Sequence, residues 1–436
     1  MSLSGKHVVI LGAGHSGRAA AALALREGAS VSVYDVAGPA AFTAMPEGAV
    51  IMPHATEEKG GEVVSDMVVV SPGIDTYGPY VAAFSARAGE VIGETEFASR
   101  YYKGRIIGIT GTNGKTTTTE LVSRILAAAE LGGDPCGNYG VPLAEIVLRE
   151  QPPAAVSLEL SSFQLETIRT LHPVVAVWLN FAPDHMDRYP TVEAYRAAKL
   201  RIFENQTASD TAVIRLGESL PGVKARTETF STEDESADWF SEGHHIQYKG
   251  EVVLDLQHDT ALRGLHNAEN AMAALAAGNA LGISFETMRT GLHGYAPPPH
   301  RCELVRTLDG VEYLNDSKAT NLHALESALR SQTRPVVLIA GGKEKGLDYA
   351  PVVPLLKAHG LAAVTFGQIA TALGEVLAAA VPVETVSTLE EAVQVAKRLA
   401  PRGSTVLLSP GTSSFDQFSG YENRGNVFRD LVHQLR

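Results

Sequence analysis

Apolar residues along the chain fall in short runs, separated by helical stretches and punctuated by glycine. His7-Val-Val-Ile-Leu11, Ser30-Val-Ser-Val-Tyr34 and Met67-Val-Val-Val70 predict strands, and the Ala-rich segment Arg18–Arg26 predicts a helix between the first two. The same alternation resumes at Arg105–Ile109, Ala154–Leu160 and Val174–Leu179, and again at Pro335–Ala340, Leu361–Phe366 and Ser404–Leu408. Within Thr388–Ala400, the residues Leu389, Ala392, Val393, Ala396 and Leu399 recur at helical spacing. Strand–helix alternation of this kind predicts an α/β protein with mostly parallel sheets wrapped by helices.

A length of 436 residues suggests about three domains at ~150 residues each. One break falls near Gly93–Lys103, and the other at Pro297-Pro298-Pro299, which cannot continue a helix and reads as a stiff linker. The expected domains are therefore 1–95, 96–297 and 298–436. Glu228–Leu254 is less regular, with a hairpin expected to turn at Lys249-Gly250. His244-His245 beside it reads as a solvated hairpin edge, since no further ligand stands at a suggestive spacing.

Composition narrows the function. Lys and Arg total 36 against 49 Asp and Glu, a formal charge of -13. That balance excludes a general nucleic-acid binder, which depends on basic residues to neutralise phosphates. No stretch approaches the ~18 continuous apolar residues of a membrane span. Val8–Leu11 is too short for a signal-peptide core, so a cytoplasmic chain without membrane insertion is expected. Cys136 and Cys302 are the only cysteines, too few for a disulfide framework or a four-thiolate metal site.

The sharpest motif is Thr110-Gly-Thr-Asn-Gly-Lys-Thr-Thr117, directly after a strand and opening a helix. Glycines at 111 and 114 let backbone N–H groups approach a phosphate, Lys115 adds a point charge, and the Thr116 hydroxyl suits Mg²⁺. The strict phosphate-loop pattern places a glycine where Ile109 stands, so this is a variant. Gly12-Ala-Gly-His-Ser-Gly17 also follows a strand, and Asp35 ends the next one, as a ribose-binding acid would. Taken alone, that pair suits any nucleotide diphosphate, nicotinamide cofactors included. Ser71-Pro-Gly73 ends the third strand on the same sheet edge.

Further polar clusters follow other strands. Glu159 near a strand end suits Mg²⁺, and Asn180-Phe-Ala-Pro-Asp-His-Met-Asp187 places Asp184, His185 and Asp187 in a loop where His185 becomes a candidate metal ligand. Lys199 sits among apolar residues that allow partial burial, which would lower its pKa and free its amine for carbamate formation. His266-Asn-Ala-Glu-Asn270 opens an Ala-rich helix, where capping accounts for one amide and a base edge would suit both. His300-Arg301, Asn315-Asp-Ser-Lys-Ala-Thr-Asn321, Gly341-Gly-Lys-Glu-Lys-Gly346 and Ser409–Phe418 complete a set that reads as a cleft.

In this order and spacing, the phosphate loop, His266–Asn270, Pro299-His-Arg and Asn315–Asn321 resemble the Mur ligases of peptidoglycan synthesis. Ser161-Ser-Phe-Gln-Leu-Glu166, the Asn180–Arg188 segment and Ser414-Phe-Asp-Gln-Phe418 resemble the members that add D-glutamate to UDP-N-acetylmuramoyl-L-alanine. The resemblance implies a Rossmann-like N-terminal domain, a central P-loop ATPase-like domain and a Rossmann-like C-terminal domain that closes across the prolines. It implies UDP-substrate contacts at His15, Ser16, Asp35, Ser71, Pro72, Gly73 and Asn138. ATP would meet Gly111, Thr112, Asn113, Gly114, Lys115, Thr116 and Thr117, with Asn267 and Asn270 facing adenine and Arg301 and Asp316 at the phosphates and ribose. Two Mg²⁺ ions would be held by Thr116, Glu159, His185 and a carbamylated Lys199. Together, Lys115, Lys199, His185 and Glu159 make the implied catalytic set. D-Glutamate would meet Thr320, Lys345, Ser414, Phe415 and Tyr421, the last where members often have Phe. Thr116 replaces a common Ser, and Ser413 stands where Ala-Cys-Ala is common.

The implied chemistry activates the L-alanine carboxylate with ATP as an acyl phosphate, which the amine of D-glutamate attacks through a tetrahedral intermediate; a monomer is expected. The rival readings are a sibling ligase for another amino acid, a folate-glutamate ligase, a nicotinamide oxidoreductase and a nucleotide switch. The oxidoreductase leaves the phosphate loop unexplained, and the switch lacks an Asn-Lys-x-Asp guanine-reading motif.

Overall fold

The computed structural model describes residues 2–186 and 188–436. Its strands form three sheets in two compact units. One unit is the chain up to Asp255 with Glu269–His293, and the other is Leu256–Ala268 with Gly294–Arg436. Among the described residues, no helix is long and apolar enough to cross a membrane.

The first unit contains two sheets. In the N-terminal one, β1 (His7–Leu11), β2 (Ser30–Tyr34), β3 (Val50–Met52), β4 (Ser65–Val70) and β5 (Ala88–Gly93) lie parallel in the order β3-β2-β1-β4-β5. Val8–Leu11 of the central strand are fully buried, as an unbroken apolar run demands when helices cover both faces. Strand order reverses between β1 and β4, so a crevice opens beyond their carboxyl ends. The helix after β1 is His15–Arg26; it starts three residues earlier than the hydrophobic pattern placed it, inside the glycine motif.

The second sheet of this unit comprises β6 (Arg105–Thr110), β7 (Pro135–Gly137), β8 (Ala155–Glu159), β9 (Val175–Trp178), β10 (Thr211–Arg215), β11 (Arg226–Ser231), β12 (Trp239–Glu242), β13 (His245–Tyr248) and β14 (Glu251–Asp255). Its order is β14-β13-β12-β11-β10-β9-β6-β8-β7, antiparallel only at β12-β13-β14. Lys249 and Gly250 form the expected turn between β13 and β14, both with positive φ, as a two-residue hairpin requires. Since β6 lies between β8 and β9, the loops leaving these three strands converge.

Between β5 and β6, where the first boundary is expected, the chain is ordered and packed. Glu94–Ser99 is a helix whose Glu94 and Glu96 are buried. Glu96 accepts from the backbone N–H groups of Arg169, Thr170 and Leu171, and Glu94 accepts from that of Ala144. These bonds fasten the two sheets into one unit.

The second unit holds β15 (Glu303–Leu308), β16 (Val311–Asn315), β17 (Val336–Gly341), β18 (Gly360–Phe366), β19 (Val383–Thr385) and β20 (Thr405–Leu408) in the order β15-β16-β20-β17-β18-β19. Only β15 and β16 are antiparallel. One face packs Val337, Ile339 and Val406 against Phe428 and the helix Leu389–Leu399, whose start carries the Thr388/Glu391 capping box. The other face packs Leu338, Ala340 and Leu407 against Leu325 and Leu356. Residues 256–268, expected in the middle domain, belong to this unit, where Thr260 bridges to Tyr295.

Candidate active site

β6 passes into the helix Lys115–Ala128 through Gly111–Gly114. Gly114 has φ +84°, and a Cβ there would stand 2.2 Å from Asn270 Oδ1, so glycine is required twice over. Lys115 curls over the loop and donates to the carbonyls of Gly111 and Thr112 at 2.9 and 3.0 Å. The loop is tied to the segment after β9. Asn113 N–H donates to Asn180 Oδ1 at 2.9 Å, and the Thr112 hydroxyl donates to the Ala182 carbonyl. Thr116 is half-buried and Thr117 buried at the helix start, where N–H groups and the helix dipole favour an anion.

Lys199 lies beneath this loop on the helix Val192–Leu200 and is 1% exposed. Its Nζ donates to Gly111 O at 2.9 Å and sits 4.9 Å from the Tyr195 ring centroid. Burial first, and then the charge of Lys115, hold its ammonium well below the ordinary lysine range, while Asp184 and Glu159 oppose that shift. Burial is deeper than the sequence suggested, and it favours a neutral, nucleophilic amine.

Glu159 ends β8 and is buried. Its Oε1 accepts from the Asn138 amide at 2.7 Å, while Oε2 is buried without a hydrogen-bond partner among the described residues. A desolvated carboxylate oxygen lacking a donor fits a cation ligand. His185 stands exposed with φ +58°, its ring edge-on to Phe163 at 5.0 Å and to Tyr195 at 5.9 Å. Asp187 lies outside the described residues.

Over the carboxyl ends of β1 and β4 lies a cavity of about 640 Å³. It brings together His15, Ser16, Asp35, Ser71, Pro72, Gly73 and Asn138, and adds Val36, Ile74 and Tyr80. Asp35 accepts from the N–H groups of Ala13 and Ala37 at 2.7 and 2.8 Å, so it shapes the glycine turn as well as facing the cavity. Ser71 Oγ and Tyr80 OH are buried without a hydrogen-bond partner among the described residues, which suits a polar ligand. His15 Nε2 lies 2.7 Å from Glu145, joining the glycine turn to the second sheet.

Asn267 and Asn270 both lie within the helix Leu265–Ala280, so neither amide is its cap. Asn267 donates to the Arg263 carbonyl at 2.8 Å, and Asn270 Oδ1 accepts from the Thr118 hydroxyl at 3.4 Å.

In the second unit, Arg301 sits between His300 and Cys302, both left-handed at φ +69° and +48°. Asp316 accepts from Cys302 N–H and from the Ser409 hydroxyl, and burial raises its carboxyl to about 7. Lys345 Nζ donates to the Thr320 carbonyl at 3.4 Å. Ser414 Oγ is buried without a partner among the described residues, next to Phe415, which is 66% exposed. Lys318 Nζ stands 3.7 Å over the Tyr421 ring.

Two arginines outside the candidate set pack beside it. Arg188 lies 4.0 Å from the Phe163 ring centroid and donates to Glu166 at 2.9 Å, and Tyr189 donates to the same carboxylate. Fully buried Arg424 donates to the carbonyls of Ser317 and Thr412, and burial lowers it to about 10. Phe163, Glu166 and Arg188 stand inside the Ser161–Glu166 and Asn180–Arg188 segments, but Arg424 stands in no such motif.

Residues 109–278 match the Mur ligase middle domain, and residues 300–411 match the Mur ligase, glutamate ligase domain. The chain is 41% identical to the UDP-N-acetylmuramoylalanine--D-glutamate ligase of Myxococcus xanthus over 100% of both chains. It is 40% identical to that of Anaeromyxobacter dehalogenans, over 99% of this chain and 98% of the relative. Among solved structures, the MurF ligase of Thermotoga maritima in complex with ADP superposes with a TM-score of 0.61 at 15% identity, covering 98% of this chain and 95% of that one. The UDP-N-acetylmuramate-alanine ligase MurC of Thermotoga maritima gives 0.60 at 18% identity, covering 98% and 99%. At such identities the structural likeness speaks for the fold alone.

Proposed function

Since the chain belongs to the Mur ligase family, we propose that it joins D-glutamate to the L-alanine carboxylate of UDP-N-acetylmuramoyl-L-alanine, consuming ATP. The observation that carries this reading is 37–41% identity, over nearly the whole of both chains, with relatives that bear that activity in their names.

The β1–β4 cavity would hold the UDP moiety, with Asp35 at a sugar hydroxyl and Ser71 and Asn138 at the remaining polar groups. ATP phosphates would lie on the N–H groups of Gly111–Thr117 beneath Lys115, and Asn267 and Asn270 would serve adenine. Arg301 and Asp316 would serve its phosphates and ribose. Thr116, Glu159, His185 and Lys199 as its carbamate would hold Mg²⁺; the orphaned Glu159 oxygen and the depressed Lys199 amine support that set. Bound there, Mg²⁺ supplies positive charge against the repulsion between a carboxylate and the ATP γ-phosphate.

Lys115 adds a cation at the transferring phosphoryl group, whose charge is spread over its oxygens. Attack by the alanine carboxylate on the γ-phosphorus forms an acyl phosphate and releases ADP. The amine of D-glutamate then adds to the acyl carbon and loses a proton, and phosphate leaves as the amide forms. Thr320, Lys345, Ser414, Phe415 and Tyr421 would orient D-glutamate, with Lys345 pairing a substrate carboxylate. The test is oxygen transfer. With ¹⁸O in the alanine carboxylate, one labelled oxygen per turnover should appear in phosphate, and unlabelled phosphate would refute the acyl phosphate.

A further inference from the structure

Far along the second sheet from the phosphate loop, β12, β13 and β14 form an antiparallel ribbon at the sheet's edge. Gly243, with φ +64°, and His244 make the two-residue turn between β12 and β13. His245 pairs with Glu242 on one side and with Asp255 on the other. Directly paired residues put their side chains on one face, so this register gathers what the sequence spaces ten residues apart.

We propose that His244, His245 and Asp255 form a binding site for a divalent transition metal of the zinc class, separate from the ATP-handling centre. The two Nε2 atoms lie 3.7 and 3.6 Å from the same oxygen, Asp255 Oδ2. Both separations exceed hydrogen-bond contact. They lie within a few tenths of an ångström of the ~3.4 Å between ligand atoms around a tetrahedral ion with bonds of ~2.05 Å. One ligand atom from each of the three residues lies within 4.8 Å of the others. The imidazole rings lean together with centroids 4.1 Å apart.

Side-chain exposures of 41%, 45% and 32% leave the point they surround open to an entering ion and to water in a remaining position. Glu242, on the same face and accepting from Gln247 at 3.2 Å, adds negative charge nearby. Two imidazoles with one carboxylate select Zn²⁺, Co²⁺, Ni²⁺ or Cu²⁺ over Mg²⁺, which prefers oxygen ligands. The bound ion would clip the turn of one hairpin to the last strand of the sheet, shielding an exposed edge.

The test is titration of the full chain with Zn²⁺ in excess Mg²⁺, with Co²⁺ in parallel to read its visible absorption. One ion should bind per chain, with affinity falling in acid as protons compete for imidazole. His244→Ala and isosteric Asp255→Asn should each weaken binding by about tenfold or more, with unchanged circular dichroism. Glu159→Gln should bind Zn²⁺ as the unaltered chain does. Binding that survives both ribbon substitutions, or that disappears with Glu159→Gln, would overturn the assignment. So would the absence of a tight site in the unaltered chain.

Discussion

Lys115 and Lys199 point their amines at one carbonyl oxygen, that of Gly111, each at 2.9 Å. Burial first, and then the neighbouring Lys115 charge, hold the Lys199 ammonium well below its ordinary range. In the proposed reading this amine would take up CO₂, forming an N–C bond and releasing a proton.

This arrangement makes Lys199 costly to stability. The folded chain holds the amine neutral where the unfolded chain protonates it, so stability is lost below the ordinary lysine range and regained as pH rises through it. Lys199→Met should therefore melt at or above the temperature of the unaltered chain while turnover falls by about 100-fold or more. Lys199→Ala should regain turnover with short carboxylic acids. A Met variant that retains activity removes the proposed role.

Gly17 tests the glycine turn. A Cβ there would stand 1.8 Å from the Gly12 carbonyl oxygen and 3.2 Å from Ser71 Oγ. Backbone cannot yield as a flexible side chain does, so Gly17→Ala should destabilise the first unit by about 1–3 kcal/mol. It should also weaken the UDP substrate in a calorimetric titration while leaving ATP binding in place. Unchanged affinity would show that the turn does not shape the cavity.

Glu94 couples stability to pH. Burial raises its carboxyl from 4.5 to about 7, although Ala144 N–H and the Thr95 hydroxyl donate to it. Between those values the folded chain holds a proton that the unfolded chain has lost. The contribution is complete below the unfolded value and is lost as pH rises through about 7. Glu94→Gln keeps an oxygen for Ala144, so its denaturation midpoint should gain on the unaltered chain from about pH 5 to about pH 8. An equal difference at both pH values would contradict this.

Much of the fold was legible because covered parallel strands are continuous apolar runs. β1 and β2 have the bounds the pattern predicts, and the helix Leu389–Leu399 lies inside its predicted span. β3 was not legible: its apolar run Val50-Ile51-Met52 is only three residues long, with Val50 55% exposed, too short to stand out as a strand. The burial of Glu94 and Glu96 in Glu94–Ser99 was not legible either, since only the fold reveals the N–H groups they meet. Short loop motifs pointed to Gly111–Gly114, to Glu159 and to most of the residues that line the cavity. Arg188 and Arg424 act through packing set by distant segments, and local sequence does not encode that. His244-His245 shows the same limit, since Asp255 joins them only through β-sheet register.

Amino-acid selectivity tests the central claim most directly. Phosphate release is followed with ATP, Mg²⁺ and UDP-N-acetylmuramoyl-L-alanine, offering D-glutamate, L-glutamate, L-alanine and a dibasic amino acid in turn. The account predicts turnover with D-glutamate and a product heavier by one glutamyl residue, with the others at background. Equal rates with L-glutamate, or turnover with another amino acid in place of D-glutamate, would contradict it.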